Sequence, residues 1–423
     1  MELPRLKPLR GIKDYSPEEF ERLEGLREIF VELSKLYGFK LMEPAPLEPI
    51  ETLEEKSGPG IRDEIYNFKD KGDREIGLRF DLTVGLTRYA CFDRAAALPI
   101  RLGSFGGVFR YDEPQHARYR WFYQWDVETY GSANPEADAE MIEFTSHLLR
   151  KAGVREHVVK IGDRRLVQEF IEKKLGFTGD RAVELMRALD KIDKKTRTEL
   201  EEEYGAKGFS EDAIDHLLDF GALEGSPSEV MSKLQEESLE SASGLAELLD
   251  ELSGGHAKIG LSVKIVRGID YYTSTVYEAF DLKDPSLGAL AGGGRYDLLP
   301  SIFGRKDLPA TGVAGGAERL MISLEKGRSQ GAASARPVYV AAAGGLVREA
   351  LAVAAELREQ GVATVTDLQR RTLARQLQES ARANASKVVI VGPAEYSHGK
   401  LVVRDMDTRK EERVKREELL GSL

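Results

Sequence analysis

Between residues 17 and 38 apolar side chains return every three or four positions (Phe20, Leu23, Leu26, Ile29, Phe30, Leu33, Leu36, Tyr37), which predicts an amphipathic helix. Ser16 is placed to cap it ahead of Pro17, and Gly38 to stop it. Residues 39–47 include Pro44 and Pro46; proline donates no ladder hydrogen bond, so an edge strand or extended interface segment is expected. Tyr66 and Phe68 lead into a charged turn at 69–74. Residues 76–83 then read as a strand delivering Asp81 and Thr83 to one side, with a helix from about Val84 to Cys91. The most informative alternation is at 121–130. If that segment is extended, Trp121, Tyr123, Trp125 and Val127 share a core face, while Phe122, Gln124, Asp126 and Glu128 share the other, which has the composition of a site wall. The loop from Tyr111 to Trp121 is longer than the two to five residues of an ordinary hairpin and carries Arg118 and Arg120 just after Arg110. On this stretch alone, a hairpin with a solvated polar face accounts for the pattern as well as a binding site does.

A helix follows from Asn134 to about Lys151, then a strand at 158–161 and a helix at 164–175. Residues 178–254 are charged and helix-forming, punctuated by Gly205, Gly208, Gly221 and Gly225 without a clear strand, and read as an inserted helical module. Strand signals return over 261–266 and 273–280, with Gly268 marking a bulge or close backbone approach. The small-residue runs at 291–294 and 312–317 let a backbone or ligand come close, and the second feeds a helix. Arg319 falls in that helix's first turn, where a cation opposes the macrodipole, so local physics disfavours it unless Glu318 neutralises it or a ligand uses it. Residues 326–336 have the composition of a linker. Beyond them, strands at 337–343, 363–366, 387–392 and 400–404 alternate with helices at 347–360 and 373–385, a small α/β domain.

Composition narrows the class. A chain of 423 residues with 41% hydrophobic and 31% charged positions implies two or three domains. No apolar run has transmembrane length and residues 1–10 carry no signal-like segment, so a cytoplasmic location is expected. Cys91 is the only cysteine and the six histidines show no paired ligand spacing, which argues against disulfides and a structural metal. Net charge is −11, divided unevenly: residues 336–423 hold 15 basic against 12 acidic side chains, a surplus of three, leaving 46 against 60 before them. Such a tail would suit a polyanion, although a surplus of three is also ordinary for a soluble domain.

Three blocks together resemble the class II aminoacyl-tRNA synthetases, and within them the histidyl-tRNA synthetase family, across nearly the whole chain. Phe109 and Arg110 through Arg118, Phe122 and Glu128 match the second class motif. Residues 312–320, with Gly316-Ala-Glu-Arg319, match the third. Arg267-Gly-Ile-Asp-Tyr-Tyr272 and Gly292-Gly-Gly-Arg-Tyr296 match segments distinctive for the histidine enzyme. The first, dimer-forming motif resembles residues 37–48, with Pro44 and Pro46 flanking Ala45 where the family carries its proline. The resemblance implies an α+β fold: a class II catalytic domain over 1–330, an antiparallel sheet flanked by helices with a helical insertion at about 178–254, then an anticodon-binding α/β domain over 331–423. It implies a histidine–tRNA ligase that activates L-histidine with ATP and Mg2+, releases pyrophosphate and charges tRNA(His), as a homodimer without membrane attachment.

By the same resemblance Arg267 and Arg110 are catalytic, with Arg110 on the α-phosphate and Arg267 bridging it to the histidine carboxylate. Arg118 and Arg319 grip the outer phosphates, and Phe122 with Arg319 sandwiches the adenine; Asp112 or Glu113 contacts that base. Asp81, Thr83 and Gln124 receive the ammonium group, and Glu128 with Tyr272 receives the imidazole, while Tyr271 and Tyr296 belong to the same histidine-binding motifs. Arginine suits these tasks because its planar fork matches carboxylate and phosphate. No editing domain is expected, since a site that hydrogen-bonds a polar side chain rejects analogues lacking it. Residues 369–371 and Arg375 are candidate anticodon contacts, or arginines of a solvated helix. A regulatory subunit of ATP phosphoribosyltransferase built on the same fold, and a synthetase for proline or threonine, are the competing readings; the first usually lacks the tail domain, and both are disfavoured by the 267–272 segment.

Overall fold

A capping box opens the first helix. Ser16 Oγ accepts the N–H of Glu19, the Glu19 carboxylate accepts the N–H of Ser16, and Pro17 supplies a φ already suited to the first turn. The computed structural model describes residues 8–57, 59–113, 119–192, 195–266, 272–327 and 336–423, in two units, Met1–Gly327 and Arg328–Leu423.

In the first unit α1 (Pro17–Leu36) buries Leu23, Leu26, Phe30 and Leu33, the stripe its spacing predicts. β1 (Lys40–Leu41), β2 (Leu47–Pro49), α2 (Ile50–Ser57), β3 (Asn67–Lys69) and β4 (Glu75–Leu78) follow. The strand expected over 76–83 stops at Leu78. Arg79 there turns inward, bonding the carbonyls of Gly107 and Pro44 at 2.8 and 2.6 Å, and ties the chain to two other segments where the ladder ends. Asp81 therefore lies in a loop, and Thr83 is the first residue of α3 (Thr83–Phe92). After β5 (Ile100–Phe109), β6 (Trp121–Tyr130), α4 (Pro135–Ala152), β7 (His157–Asp163) and α5 (Arg164–Lys173) come the helices of the insertion: α6 (Asp180–Asp190), α7 (Arg197–Ala206), α8 (Glu211–Gly221), α9 (Pro227–Glu236) and α10 (Ala242–Leu252). Contrary to the all-helical reading, β8 (Glu224–Gly225) interrupts them. The alternation over 261–266 yields only β9 (Ile259–Ser262). Val263, Ile265 and Val266 are all buried, so no solvated face remains; the chain turns back over Gly162, where a Cβ would stand 2.4 Å from the carbonyl of Ile265. β10 (Thr275–Asp281), β11 (Ala289–Arg295), α11 (Leu299–Ile302), β12 (Ala310–Gly316) and α12 (Ala317–Gly327) complete the unit. Gly268, read as a bulge, lies outside the described residues.

One sheet organises these elements, in the order β1-β5-β6-β12-β11-β10-β7-β9-β8; β2, β4 and β3 form a smaller one. The expected antiparallel sheet is mixed: β1 pairs with β5 and β7 with β9 in parallel, while the strands between are antiparallel. β1 stands at the edge, where the prolines beyond it are tolerated. Trp125, Val127, Phe105, Ala279, Ala291 and Val313 bury one sheet face against Phe30, Met141, Phe144 and Leu148 of α1 and α4. The same buried cluster runs on into the insertion through the stacked rings of Phe170 and Phe220, 3.9 Å apart, so the insertion shares the core of its host.

The second unit holds β13 (Val338–Ala342), α13 (Val347–Glu359), β14 (Thr364–Thr366), α14 (Leu373–Arg382), β15 (Lys387–Val391), α15 (Pro393–Tyr396), β16 (Lys400–Asp405) and β17 (Glu411–Lys415). Its strand order is β14-β13-β15-β16-β17, parallel among the first three and antiparallel thereafter. β17 was not expected: its sequence, Glu-Glu-Arg-Val-Lys, lies exposed at an edge and carries one apolar residue, too little for a period-two signal.

Glu169 of α5 docks the insertion. It accepts the backbone N–H groups of Glu240 and Ser241 at 2.9 and 2.8 Å, the Ser241 hydroxyl at 2.7 Å and the Lys173 ammonium at 2.8 Å. Burial opposes the ionised form, but these donors outweigh it and hold the carboxyl down at about 2, from an ordinary 4.5. A carboxyl depressed on folding stabilises above its unfolded pKa and loses that contribution as pH falls through the folded one. The gap in melting midpoint between the parent protein and Glu169→Gln is thus expected to be widest above pH 4.5 and to narrow towards pH 2; a pH-independent gap would assign the effect to shape instead of charge.

Candidate active site

Residues paired directly across an antiparallel ladder project to the same face. On the face of the large sheet opposite α1 and α4, one such row reads Glu278, Gly292, Ala314, Asp126, and the next Val276, Gly294, Gly312, Glu128. The two middle strands thus present only glycine and alanine, while acids rise from β10 and β6 on either side. The glycine runs of the sequence are the floor of a site. Above it lies a cavity of about 540 Å³.

The acidic part of the wall comes from β6, α3 and β10. Gln124, Asp126 and Glu128 are 8%, 0% and 2% exposed, so the polar face of β6 is buried and not solvated. Thr83 Oγ1 donates to Asp126 Oδ2 at 3.1 Å, and Asp81 Oδ1 accepts the N–H of Val84 at 3.3 Å in the first turn of α3. The Glu128 carboxylate crosses β12 where Gly312 has no side chain: a Cβ there would fall 1.3 Å from Glu128 Oε2, which accepts the hydroxyl of Tyr296. Tyr272 stands among these groups. Burial, then the charges of Glu128, Asp126, Glu278 and Asp81, push its hydroxyl well above the usual phenol value, so it stays a protonated donor.

The cationic part is built from the end of β5 and the start of α12. Arg110 places its guanidinium carbon 5.2 Å from the Phe122 ring centre and donates Nε–H to the Phe80 carbonyl at 3.1 Å. Arg319, in the first turn of α12, donates Nη1–H to the Ala289 carbonyl at 2.7 Å. Its neighbour Glu318 is engaged by the Tyr123 N–H at 2.8 Å and by the Tyr15 hydroxyl; burial pushes its carboxyl up. Asp112 lines the cavity, whereas Glu113 pairs with Arg10 at 3.0 Å on the surface. From Phe122 to Glu128 the strand advances about 20 Å at about 3.3 Å per residue. Acids gather around Tyr272, while Arg110, Arg319 and the carboxylate of Asp112 lie towards the start of β6.

Of the residues singled out in the sequence, Asp81, Thr83, Arg110, Asp112, Phe122, Gln124, Tyr272 and Arg319 line this one cavity. Glu128 and Tyr296 are bonded to each other in the buried layer beside it, outside the cavity lining. Arg118, Arg267 and Tyr271 fall outside the described residues. Sequence reasoning missed Glu278, a buried acid on the cavity wall, although a lone carboxylate sharing a strand face with Val276 and Phe280 was a usable signal. It also missed Tyr119, another lining residue, which lies in the loop ahead of β6.

With this geometry established, comparison with known proteins is informative. The family model described as histidyl-tRNA synthetase matches residues 11–320, and that of the anticodon binding domain matches residues 337–423. The histidine–tRNA ligase of Pyrococcus furiosus is 36% identical over 426 residues, covering 98% of each chain, and that of Pyrobaculum islandicum 36% over 410 residues, covering 96% of this chain and 95% of its own. Among solved structures, histidyl-tRNA synthetase from Nostoc sp. PCC 7120 superposes with a TM-score of 0.81 at 23% identity over 99% of both chains. A Bacillus halodurans C protein described as an ATP phosphoribosyltransferase regulatory subunit/histidyl-tRNA synthetase gives 0.76 at 23% identity, covering 92% of this chain and 98% of its own; at that identity both show the fold.

The floor makes a sharp prediction. Gly312→Ala collides with the Glu128 carboxylate and should destabilise the protein by about 1–3 kcal/mol in denaturant unfolding. Gly292→Ala, on the same face but with no neighbour nearer than 3.8 Å, should stay within about 0.5 kcal/mol of the parent. Equal effects would mean that the empty space over Gly312 is not what admits Glu128.

Proposed function

The chain belongs to the histidyl-tRNA synthetase family, and from that premise we propose that it joins histidine to tRNA(His) in two steps at the cavity over the glycine floor. The observation that carries the reading is the polarisation of that cavity: carboxylates around Tyr272 at one part, Arg110 and Arg319 at another. Such a site is complementary to a cationic amino acid lying beside a polyphosphate. Relatives 36% identical over nearly the whole length, together with the match to an anticodon binding domain, favour this over a regulatory subunit of ATP phosphoribosyltransferase.

In the first step a histidine carboxylate oxygen attacks the α-phosphorus of ATP, the bond to the bridging oxygen of the β-phosphate breaks, and pyrophosphate departs. Two anions must meet, so fixed positive groups supply the stabilisation. Arg110 takes the α-phosphate, the Phe122 ring and Arg319 clamp the adenine, and Asp112 borders the base. Asp81, Thr83 and the buried Gln124 Oε1, which has no hydrogen-bond partner among the described residues, receive the substrate ammonium. Tyr272 and Glu128, steadied by Tyr296, receive the imidazole, and Tyr271 is assigned to the same task. Arg267 bridges carboxylate and α-phosphate, and Arg118 holds the outer phosphates; these three roles rest on the family motif alone. In the second step a tRNA hydroxyl attacks the histidyl carbonyl and AMP leaves.

Mg2+ fits as a passenger of ATP. The described residues form no group of three or more His, Cys, Asp or Glu able to hold an ion, and Mg2+ commonly takes one or two carboxylates plus phosphates and water. Glu278 on the wall can supply such a carboxylate, and the bound ion would neutralise phosphate charge.

The anticodon is assigned to the second unit, where Arg348, Arg370 and Arg371 line a cavity of about 910 Å³. Arg371 is already paired with Asp367 at 3.0 Å, which leaves Arg370 and Arg375 as the better candidates for tRNA contact. A second copy of the chain is assigned to the β1 edge, where Leu36, Leu41 and Leu47 are exposed. No described helix is long and apolar enough to cross a membrane, and the site of action is assigned to the cytoplasm, where tRNA is charged.

Pyrophosphate exchange into ATP is expected with histidine and with no other amino acid of a full panel; exchange without that preference would sink the assignment. Arg110→Ala should lower kcat for histidine-dependent exchange by roughly 10² to 10³, and Arg267→Ala by at least as much, with unfolding midpoints unchanged. Normal exchange by either variant would remove that arginine from the mechanism.

A further inference from the structure

The cavity has a support that neither the motifs nor the comparisons assign. Successive residues of a helix project about 100° apart, so in the first turn of α12 Arg319 and Glu318 point different ways. Arg319 reaches the cavity wall and bonds the Ala289 carbonyl. Glu318, 3% exposed, borders the same cavity and reaches the first residues of β6. The ladder between β12 and β6 ends at the pair Gly316 and Gln124. One residue further, the Tyr123 N–H donates to Glu318 Oε1 at 2.8 Å, so the carboxylate adds a rung where the partner strand has become a helix. Tyr123 lies between Phe122 and Gln124. One side chain thereby fixes the segment bearing Phe122 relative to the turn bearing Arg319.

The same oxygen accepts the hydroxyl of Tyr15, which belongs to the segment ahead of α1. That segment is fastened along the approach to β6. The Gly11 carbonyl accepts the Arg120 N–H at 2.7 Å. Lys13 sits 4.8 Å from the ring centre of Tyr15 and 4.9 Å from that of the cavity-lining Tyr119, and pairs with Glu19 at 2.8 Å. The Tyr15 ring meets Trp121 and Tyr123 edge-on at 5.5 and 5.9 Å. Neither Lys13 nor Tyr15 lines the cavity. Their influence on a ligand must pass through Glu318 and Tyr119.

The geometry points to Tyr15 and Glu318 as positioning residues for the nucleotide: the Tyr15 hydroxyl holds the Glu318 carboxylate, which sets the spacing of Phe122 and Arg319 between which the adenine is clamped. This rests on the assignment of Phe122 and Arg319 to ATP. It makes the segment from Gly11 to Tyr15 a support of the nucleotide site, and it predicts an effect confined to one substrate.

Tyr15→Phe deletes the hydroxyl and keeps the ring on Trp121. In histidine-dependent exchange it should raise KM for ATP roughly tenfold, leave KM for histidine within about twofold and change kcat little. Titration of ATP alone against tryptophan fluorescence, read from Trp121 and Trp125, the only two in the chain, should show the same weakening in Kd. Glu318→Gln, whose amide oxygen can still accept both bonds, should lie close to the parent, whereas Glu318→Ala should match or exceed Tyr15→Phe. Equal rises in both KM values, an unchanged ATP Kd in Tyr15→Phe, or Glu318→Gln as damaged as Glu318→Ala would overturn the proposal. Arg319→Ala and Phe122→Ala serve as the reference: if they leave ATP binding intact, the assignment of the nucleotide site itself is wrong, and if they weaken it while Tyr15→Phe does not, only the positioning role fails.

Discussion

A carboxylate that reaches almost no water has to be satisfied by protein, because an ionised group transferred unpaired into an apolar interior costs far more than a fold can spare. Glu128 is such a group, and the space it occupies exists only because Gly312 on the adjacent strand has no Cβ. Its partner Tyr296 is buried too, and directly follows Arg295, which forks onto Asp138 of α4 at 3.0 and 2.8 Å and donates to the Ser132 carbonyl at 2.8 Å. Thr311, beside Gly312, bonds the same Asp138. The acidic part of the site is therefore anchored, through one arginine and one carboxylate, to the helix on the far side of the sheet.

Opposite charges in one cavity would cancel if they could meet. At an effective dielectric of about 20, two unit charges 4 Å apart attract by about 4 kcal/mol, but 20 Å apart by only about 0.8 kcal/mol. The length of β6 between Phe122, beside Arg110, and Glu128 puts the Arg110 end of the cavity and the Glu128 carboxylate in the second regime. Gly292 and Ala314 on that face of β11 and β12 keep the cavity open, where a larger side chain would fill it. Flexible loops could not keep such a separation, and a strand does so with its backbone.

The alternation at 121–130 was legible because strand geometry allows one assignment of faces; what it could not distinguish was a solvated polar face from a buried one, since Gln124, Asp126 and Glu128 would suit either. Burial was decided by Gly312 and Tyr296, roughly 170 to 185 residues away in the chain, a long-range condition that no local pattern encodes. Other failures have similar causes. The strand over 76–83 was overextended because the Arg79 contacts with Gly107 and Pro44 are tertiary, and β17 was missed because an exposed edge strand needs no apolar alternation. Tyr15 gave no signal at all: a tyrosine before a helix cap is unremarkable until the chain brings Glu318 to it. The different surroundings of Asp112 and Glu113 were likewise beyond sequence: Asp112 lines the cavity, whereas Glu113 pairs with Arg10 at the surface.

Arg319 was recognisable from physics alone, and the structure explains why so unfavourable a placement is tolerated. The unsatisfied N–H groups at a helix start carry roughly half a positive charge, and a cation there costs about 0.3–1 kcal/mol in the unliganded protein. Glu318 cannot serve Arg319 alone, because its Oε1 is committed to Tyr15 and to the Tyr123 N–H. The guanidinium donates to the Ala289 carbonyl, a neutral acceptor. Under the proposed function the helix end and the arginine act on an anionic nucleotide with the same sign, so that penalty is offset on binding. A placement that weakens the free protein therefore increases the difference between its free and bound states, and that difference is what binding measures.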